Sequence, residues 1–319
     1  MTPPRLLFLG EALIDFMASP PTPLRFQGHV GGALLNAAVA AARLGAPVGY
    51  ITQLSRDVFG ERLLAHLQAE GIDTSAVKRS DAPSTLAFVQ RDGAHNRYAF
   101  YLQGTADMQW APAPQQVWPA SARWLHFGAN LLAQAGVGQR VLDFALAQRG
   151  RVLRVFDPNA RPGLIDDLAT WRQRCAHAIR ACELLKLSDE DAALLAPGQS
   201  PEMTAQHWLD EGPLAVLLTR GAEGATLWRA GQAPLQLRPP SVVVADTVGA
   251  GDTFGAALSV ALLEHGVGDA SALAALPTSA WAQALRFANT AAALNCTREG
   301  ADPPTRAAVD AWLTTHAEG

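Results

Sequence analysis

Short apolar runs with β character alternate with amphipathic stretches along most of the chain. Arg5–Gly10, Pro47–Leu54, Arg123–Phe127, Arg151–Phe156 and Leu214–Thr219 read as strands, and the segments between them as helices. That alternation predicts a parallel sheet covered by helices. Glycines mark the helix ends: Ala33–Leu44 stops at Gly45, Val58–Glu70 at Gly71 and Gln139–Gln148 near Gly150. One region breaks the rhythm. Between Ser84 and Gln103, two β-like runs flank a turn at Asp92-Gly93, which fits a hairpin better than a crossover. Ala12–Ala18 supplies a further strand to the same small sheet. Its alternating aromatic face needs cover, so a lid over a cleft or a dimer contact is expected there. No repeat or low-complexity linker divides the chain. Residues 1–319 are therefore read as one α/β domain, with lid strands inserted at about 12–30 and 84–104.

Composition narrows the function classes. The 319 residues are 49% hydrophobic and 17% charged, which suits a sizeable core and not a disordered chain. Twenty-five basic against 29 acidic residues leave a net charge of −4, without the basic excess that a nucleic-acid partner demands. The longest clean apolar run, Phe254–Leu263, is far short of the ~20 residues needed to cross a bilayer. Glu11 and Asp15 interrupt the place where a secretory core would continue, so a cytoplasmic location without membrane contact is expected. Cys175, Cys182 and Cys296 lack the spacing of a disulfide framework or a zinc site and read as buried thiols. The eight histidines show no metal-ligand spacing.

The most informative segment is Ala245–Ser259. Val242–Val244 reads as a β-branched strand running into a glycine-rich turn and a small-residue helix. Unsatisfied N–H groups and the helix dipole make such a turn an anion site, and phosphate is the obvious guest. A carboxylate there, Asp252, would repel phosphate unless it accepts a proton from an attacking hydroxyl, with the helix N-terminus keeping it ionised. Spacing alone leaves a plain helix cap as the alternative. No G-x-x-x-x-G-K-[ST] is present, and Gly249-x-Gly251-x-x-x-Gly255 misses the dinucleotide fingerprint by one residue. Asp15, Gly31-Gly32 and Asn36 form a second group suited to polyol hydroxyls, although paired glycines also make ordinary turns. Asp157–Arg161 and Lys186–Asp191 follow or end predicted strands, where open α/β sheets bind ligands. Ser188 with Asp191 also spells a capping box, and Thr219–Gly224 also fits a hairpin turn.

Taken together these segments resemble the ribokinase-like, PfkB-type carbohydrate kinases, and within them the bacterial fructokinases. Gly249-Ala-Gly-Asp252 matches the second family signature, and Gly31-Gly32 with Asn36 and Ala42-Arg-Leu-Gly45 matches the first. Fructokinase character comes from Gly10–Asp15, Ser84–Val89, Thr105–Met108, Phe156–Arg161 and Lys186–Asp189. The resemblance implies a three-layer α/β/α sandwich with a mostly parallel central sheet and a small β-sheet lid that forms a homodimer contact. It implies transfer of the γ-phosphoryl group of ATP, with Mg2+, to a hydroxyl of D-fructose, at C6. Asp252 would be the base, and Gly249, Ala250 and Gly251 the anion hole. Asp15, Gly31, Gly32 and Asn36 would hold the sugar, and Arg161 would face the sugar or the moving phosphate. Lys186, Ser188, Thr219, Gly221, Gly224 and Asn289 would line the nucleotide side. Asp191 would serve magnesium and phosphate, and Asp246 a monovalent cation such as K+. Three departures stand out. Leu34-Leu35 replaces Pro-Ala, Ser188-x-x-Asp191 replaces Asn-x-x-Glu and predicts weaker magnesium affinity, and Leu102 replaces an arginine. The last favours a neutral sugar over an acid such as 2-keto-3-deoxygluconate. A kinase for that acid or for a nucleoside, and a sugar sensor without turnover, are the rival readings.

Overall fold

In a parallel strand both faces are buried, so the strand reads as a continuous apolar run. Leu6-Leu7-Phe8-Leu9 is such a run: Leu6 and Phe8 enter one apolar core, Leu7 and Leu9 the other. The computed structural model describes residues 2–18, 25–92, 95–113 and 119–316. Its first half comprises β1 (Leu6–Leu9), β2 (Leu13–Ala18), β3 (Phe26–Gly31), α1 (Ala33–Arg43), β4 (Val48–Ile51), β5 (Gln53–Ser55), α2 (Val58–Ala69), β6 (Lys78–Ser80), β7 (Leu86–Asp92), β8 (His95–Tyr101), β9 (Trp124–Gly128), α3 (Ala129–Ala133), α4 (Val137–Ala147) and β10 (Leu153–Asp157). There follow α5 (Leu168–Ala181), β11 (Leu184–Ser188), α6 (Asp189–Leu195), α7 (Pro201–Glu211), β12 (Ala215–Thr219), β13 (Ala225–Trp228), β14 (Leu235–Leu237), α8 (Ala250–Glu264), α9 (Ala270–Ala275), α10 (Thr278–Asn295) and α11 (Arg306–Thr315).

Eight strands make the large sheet, in the order β14-β13-β12-β11-β10-β9-β1-β4. The pairs from β4 to β12 are parallel, and β13 and β14 close the edge antiparallel. One face is covered by α1, α8 and α10, whose alanines allow close approach, and the other by α4, α5 and α7. The result is the ribokinase-like three-layer arrangement, with the carboxyl ends of β9, β10, β11 and β12 opening on the same side of the parallel sheet.

A separate four-stranded sheet has the order β3-β2-β7-β8. The expected hairpin is β7 with β8, Leu86 facing Tyr101; residues 93–94 of its turn, and the connection at 19–24, lie outside the described residues. Phe16 stacks on Phe88 at 4.9 Å, and Phe26 and Tyr101 meet Phe88 edge-on at 5.2 and 5.6 Å. Two sequence expectations fail here. Pro47–Leu54 divides at Thr52 into β4 and β5, which pair in different sheets. Val242–Val244 is not a strand: β14 already ends the large sheet, and Val243 is 89% exposed, so the β-branched run has neither a pairing partner nor a face to bury. Cys175 and Cys182 are free and buried as expected, whereas Cys296 is only partly covered. Among the described residues no helix is long and apolar enough to cross a membrane.

Candidate active site

The site is assembled where α8 begins. Gly249, its N-cap, lies in the left-handed region at φ 75°, a conformation that reverses the chain into the helix and that a side chain would strain. In the first turn, Gly251 and Asp252 have no carbonyl four residues back within the helix, so their N–H groups point outward as anion donors. The turn is braced from outside. Asp246 Oδ1 accepts from the N–H groups of Thr247 and Val248 at 2.7 and 3.2 Å, and Oδ2 accepts from Gly300 N at 3.0 Å.

Asp252 is the third residue of α8, not its cap, and its carboxylate accepts no backbone hydrogen bond among the described residues. Instead, Oδ2 accepts from Asn36 Nδ2 at 3.1 Å and Oδ1 from Asn159 Nδ2 at 2.9 Å. Two amides from distant segments therefore aim this carboxylate into the cleft, which removes the helix-cap reading. Burial pushes the Asp252 pKa up, against the pull of Asn36, Lys186, Arg161 and Asn159. Burial thus works against the ionised carboxylate that the helix N-terminus was expected to favour, and Asn36, Lys186, Arg161 and Asn159 oppose it.

Asn159 falls inside the Asp157–Arg161 segment, and the sequence assigns it no role of its own. It sits just past β10 with φ 36°, one of two described non-glycine residues with positive φ, and asparagine tolerates that region better than most residues. An Asp-Pro-Asn turn is the signal that could have marked it. Two residues on, Arg161 is exposed, and its charge is felt by both Asp15 and Asp252. Asp15 lies on β2, where burial raises its pKa to about 6 against the opposing pull of Arg161. A Cβ on Gly31 would stand 2.0 Å from Asp15 Oδ2, so only glycine fits beside this carboxylate. Gly32 is equally constrained: at φ 116°, its Cβ would meet Glu11 O at 2.6 Å. Gly31 thus packs against Asp15, Asn36 bonds to Asp252, and the charge of Arg161 reaches both carboxylates.

On the opposite flank, Lys186 is buried near the end of β11, with Nζ donating to Asp157 Oδ2 at 2.7 Å. Burial lowers the lysine pKa, but Asp157, Asp191 and Asp252 outweigh it and hold the amine charged. That amine lies 3.3 Å from where a Gly251 Cβ would be, beside the turn that opens α8. Burial raises Asp157 to about 6, and its Oδ1 is buried without a hydrogen-bond partner. His126, stacked on Phe8 at 4.4 Å, lines a small cavity with Asp157, Asn159 and Asp252. Burial, reinforced by Lys186, depresses its pKa to about 3 and keeps the ring neutral.

A family model described as pfkB family carbohydrate kinase matches residues 4–308. This chain belongs to the pfkB family of carbohydrate kinases. The kinase is 36% identical over 263 residues to a fructokinase of Rhizobium leguminosarum bv. trifolii, covering 81% of this chain and 79% of that one. It is 32% identical over 280 residues to a 2-dehydro-3-deoxygluconokinase of Thermoproteus tenax, covering 84% of each. A crystal structure of a fructokinase with bound ATP from Xylella fastidiosa superposes with a TM-score of 0.90 at 26% identity, covering 98% of this chain and 99% of that one.

The remaining candidates of the kinase divide into two groups. Ser188 and Thr219 face each other in register at the ends of β11 and β12. Gly221 and Gly224 form a short turn between antiparallel β12 and β13, so the hairpin reading of this segment is correct. A Cβ on Gly224 would meet Leu237 O at 2.0 Å, and Asn289 Nδ2 donates to that same carbonyl at 3.2 Å, tying α10 to β14. Asp191 departs from expectation. Its Oδ2 accepts from Ser188 N and Oγ at 3.0 and 2.9 Å in a complete capping box, and its Oδ1 accepts from Ala160 N at 2.7 Å. It is buried and clamps the loop carrying Asn159 and Arg161, instead of offering a free carboxylate to a metal. No cluster of three or more potential metal-ligating His, Cys, Asp or Glu occurs among the described residues.

Proposed function

We propose that this kinase transfers the γ-phosphoryl group of ATP to the C6 hydroxyl of D-fructose, with Asp252 as general base. The observation carrying the reading is the Asp252 carboxylate, held by Asn36 and Asn159 at the first turn of α8. The sugar hydroxyl oxygen bonds to the γ-phosphorus, the bond to the β-phosphate bridging oxygen breaks, ADP leaves, and the hydroxyl proton passes to Asp252. The N–H groups of Gly249, Gly251 and Asp252 stabilise charge on the moving group, with Lys186 beside Gly251, whereas the Ala250 N–H expected to share that role is tied to Thr247 O at 3.2 Å. Asp15, Gly32 and Asn36 hold sugar hydroxyls, and Arg161 closes over the anion.

The donor set suits a nucleotide, with a helix N-terminus, a charged buried lysine and small residues at Gly221 and Gly224. Magnesium, when bound with ATP, neutralises phosphate charge and needs only one or two carboxylates. Asp157, with one unpaired oxygen, fits that task better than Asp191, whose oxygens are engaged. The sheet β3-β2-β7-β8 acts as a lid, and its aromatic face, with Tyr101 63% exposed, as a homodimer contact. Leu102, following β8, supports a neutral sugar, while the kinship to a 2-dehydro-3-deoxygluconokinase makes that acid the main competitor. The test is a panel of sugars, sugar acids and nucleosides with Mg-ATP, with the phosphorylated product and its position identified by NMR. Preferential turnover of a sugar acid or nucleoside would overturn fructose; ligand binding without product from any compound would overturn the catalytic reading.

A further inference from the structure

Asn295, the last residue of α10, is fully buried beneath the turn that opens α8. Its Nδ2 donates to Val248 O at 2.8 Å, and its Oδ1 accepts from Thr253 Oγ1 at 3.4 Å. A single side chain therefore grips the turn on both sides of Gly249–Asp252. Its Oδ1 would lie 3.8 Å from a Cβ on Gly249, directly under the N-cap. The other anchors of this turn are also N–H donors. Asp246 Oδ1 accepts from two of them and Oδ2 from Gly300 N, while Cys296 O accepts from Ala245 N and Asp246 N at 2.8 and 3.2 Å.

These bonds take up most of the acceptor capacity that a monovalent cation beside the turn would draw on. Three of the roughly four lone-pair sites of the Asp246 carboxylate are engaged, and the Val248 carbonyl is held by an amide. An amide N–H presents partial positive charge to that carbonyl from a covalently fixed position, so no ion has to be captured and stripped of water. The residues present do not fit the cation expected at Asp246.

We propose that Asn295 is a positioning residue that braces the anion-binding turn in place of a monovalent cation, so that nucleotide binding by this kinase is independent of K+. The proposal rests on the reading of residues 249–252 as the phosphate cradle.

The test is calorimetric titration of ADP into the full chain, in potassium chloride and in choline chloride at matched ionic strength. A cation that organised the turn would shift affinity by about 5–150-fold. The wild type is expected to differ by less than about fivefold between the two salts, outside that coupling range. Asn295→Ala is expected to bind ADP about tenfold more weakly, the effect of one lost hydrogen bond. Asn295→Asp keeps the volume and the acceptor for Thr253 but cannot donate to Val248, and is expected to bind weakly in choline and recover in potassium. Loss of wild-type affinity in choline overturns the proposal, as does wild-type ADP binding by either folded variant. If both variants misfold, the wild-type comparison alone decides. Absence of ADP binding by wild type in both salts would instead refute the phosphate-cradle reading, and this proposal with it. Salt dependence on top of clear ADP binding refutes the brace alone.

Discussion

Asp252→Asn separates a base from a carboxylate that merely holds the cleft together. Both carboxylate oxygens accept from amide donors, Asn36 at 3.1 Å and Asn159 at 2.9 Å. An asparagine at 252 keeps one acceptor oxygen and turns its own NH2 toward one of these donors. One hydrogen bond to a charged acceptor is lost, worth about 1.5–3 kcal/mol. Opposing this, burial already disfavours the charge of Asp252, and the neutral amide carries no such penalty. Asn36 or Asn159 can also rotate its amide to present oxygen. The net change in folding stability is therefore small. Catalysis has no such compensation: loss of a general base removes about 10²–10⁴-fold in kcat, or about 3–5 kcal/mol of barrier stabilisation. The assay couples ADP release to NADH oxidation with D-fructose as acceptor, beside calorimetric binding of ADP and thermal unfolding of both proteins. A kcat within tenfold of wild type would refute the assigned role. So would a collapse of turnover matched by equal losses of nucleotide binding and thermal stability, the pattern of a purely structural carboxylate.

Three further outcomes follow from the geometry. Glu11 is fully buried, and burial, reinforced by Asp107, raises its pKa to about 7 against the opposing pull of the backbone groups of Glu11, Ala33 and Leu131. The folded state therefore holds a proton that the unfolded state releases above about pH 4.5, so this residue lowers stability progressively from about pH 4.5 to 7, by roughly 3 kcal/mol in all. Glu11→Gln should gain in Tm relative to wild type as the pH rises through that window, and a pH-independent difference would refute this. Gly31→Ala places a methyl group against Asp15 Oδ2 and should raise KM for the sugar with little change in KM for ATP; parallel rises in both would argue that Asp15 does not face the sugar. Asp191→Asn should lower kcat/KM by loosening the Asn159–Arg161 loop while leaving the magnesium concentration for half-maximal rate unchanged, and a large shift in that concentration would restore Asp191 as a metal ligand.

Local order along the chain is enough to read most of the backbone. The 2-residue and 3.6-residue periodicities, the glycine stops and the small-residue run after Gly249 identify the parallel sheet, the hairpin of the small sheet and the turn that opens α8, because each depends on neighbours within a few positions. Ser188 and Asp191 form the capping box that their spacing spells. Which side chains satisfy one another is not local. Asn36 and Asp252 are 216 residues apart, and Asn159 and Asp252 are 93 apart, and only the layering of α1 and α8 against the ends of the parallel strands brings them within hydrogen-bond reach. The same layering gives Asp191 to Ala160, places Asn295 beneath the turn that opens α8, and leaves Val243 and Val244 exposed. A residue type declares what chemistry it can do, whereas burial and the partners that reach it decide whether its donors and acceptors remain free to do it.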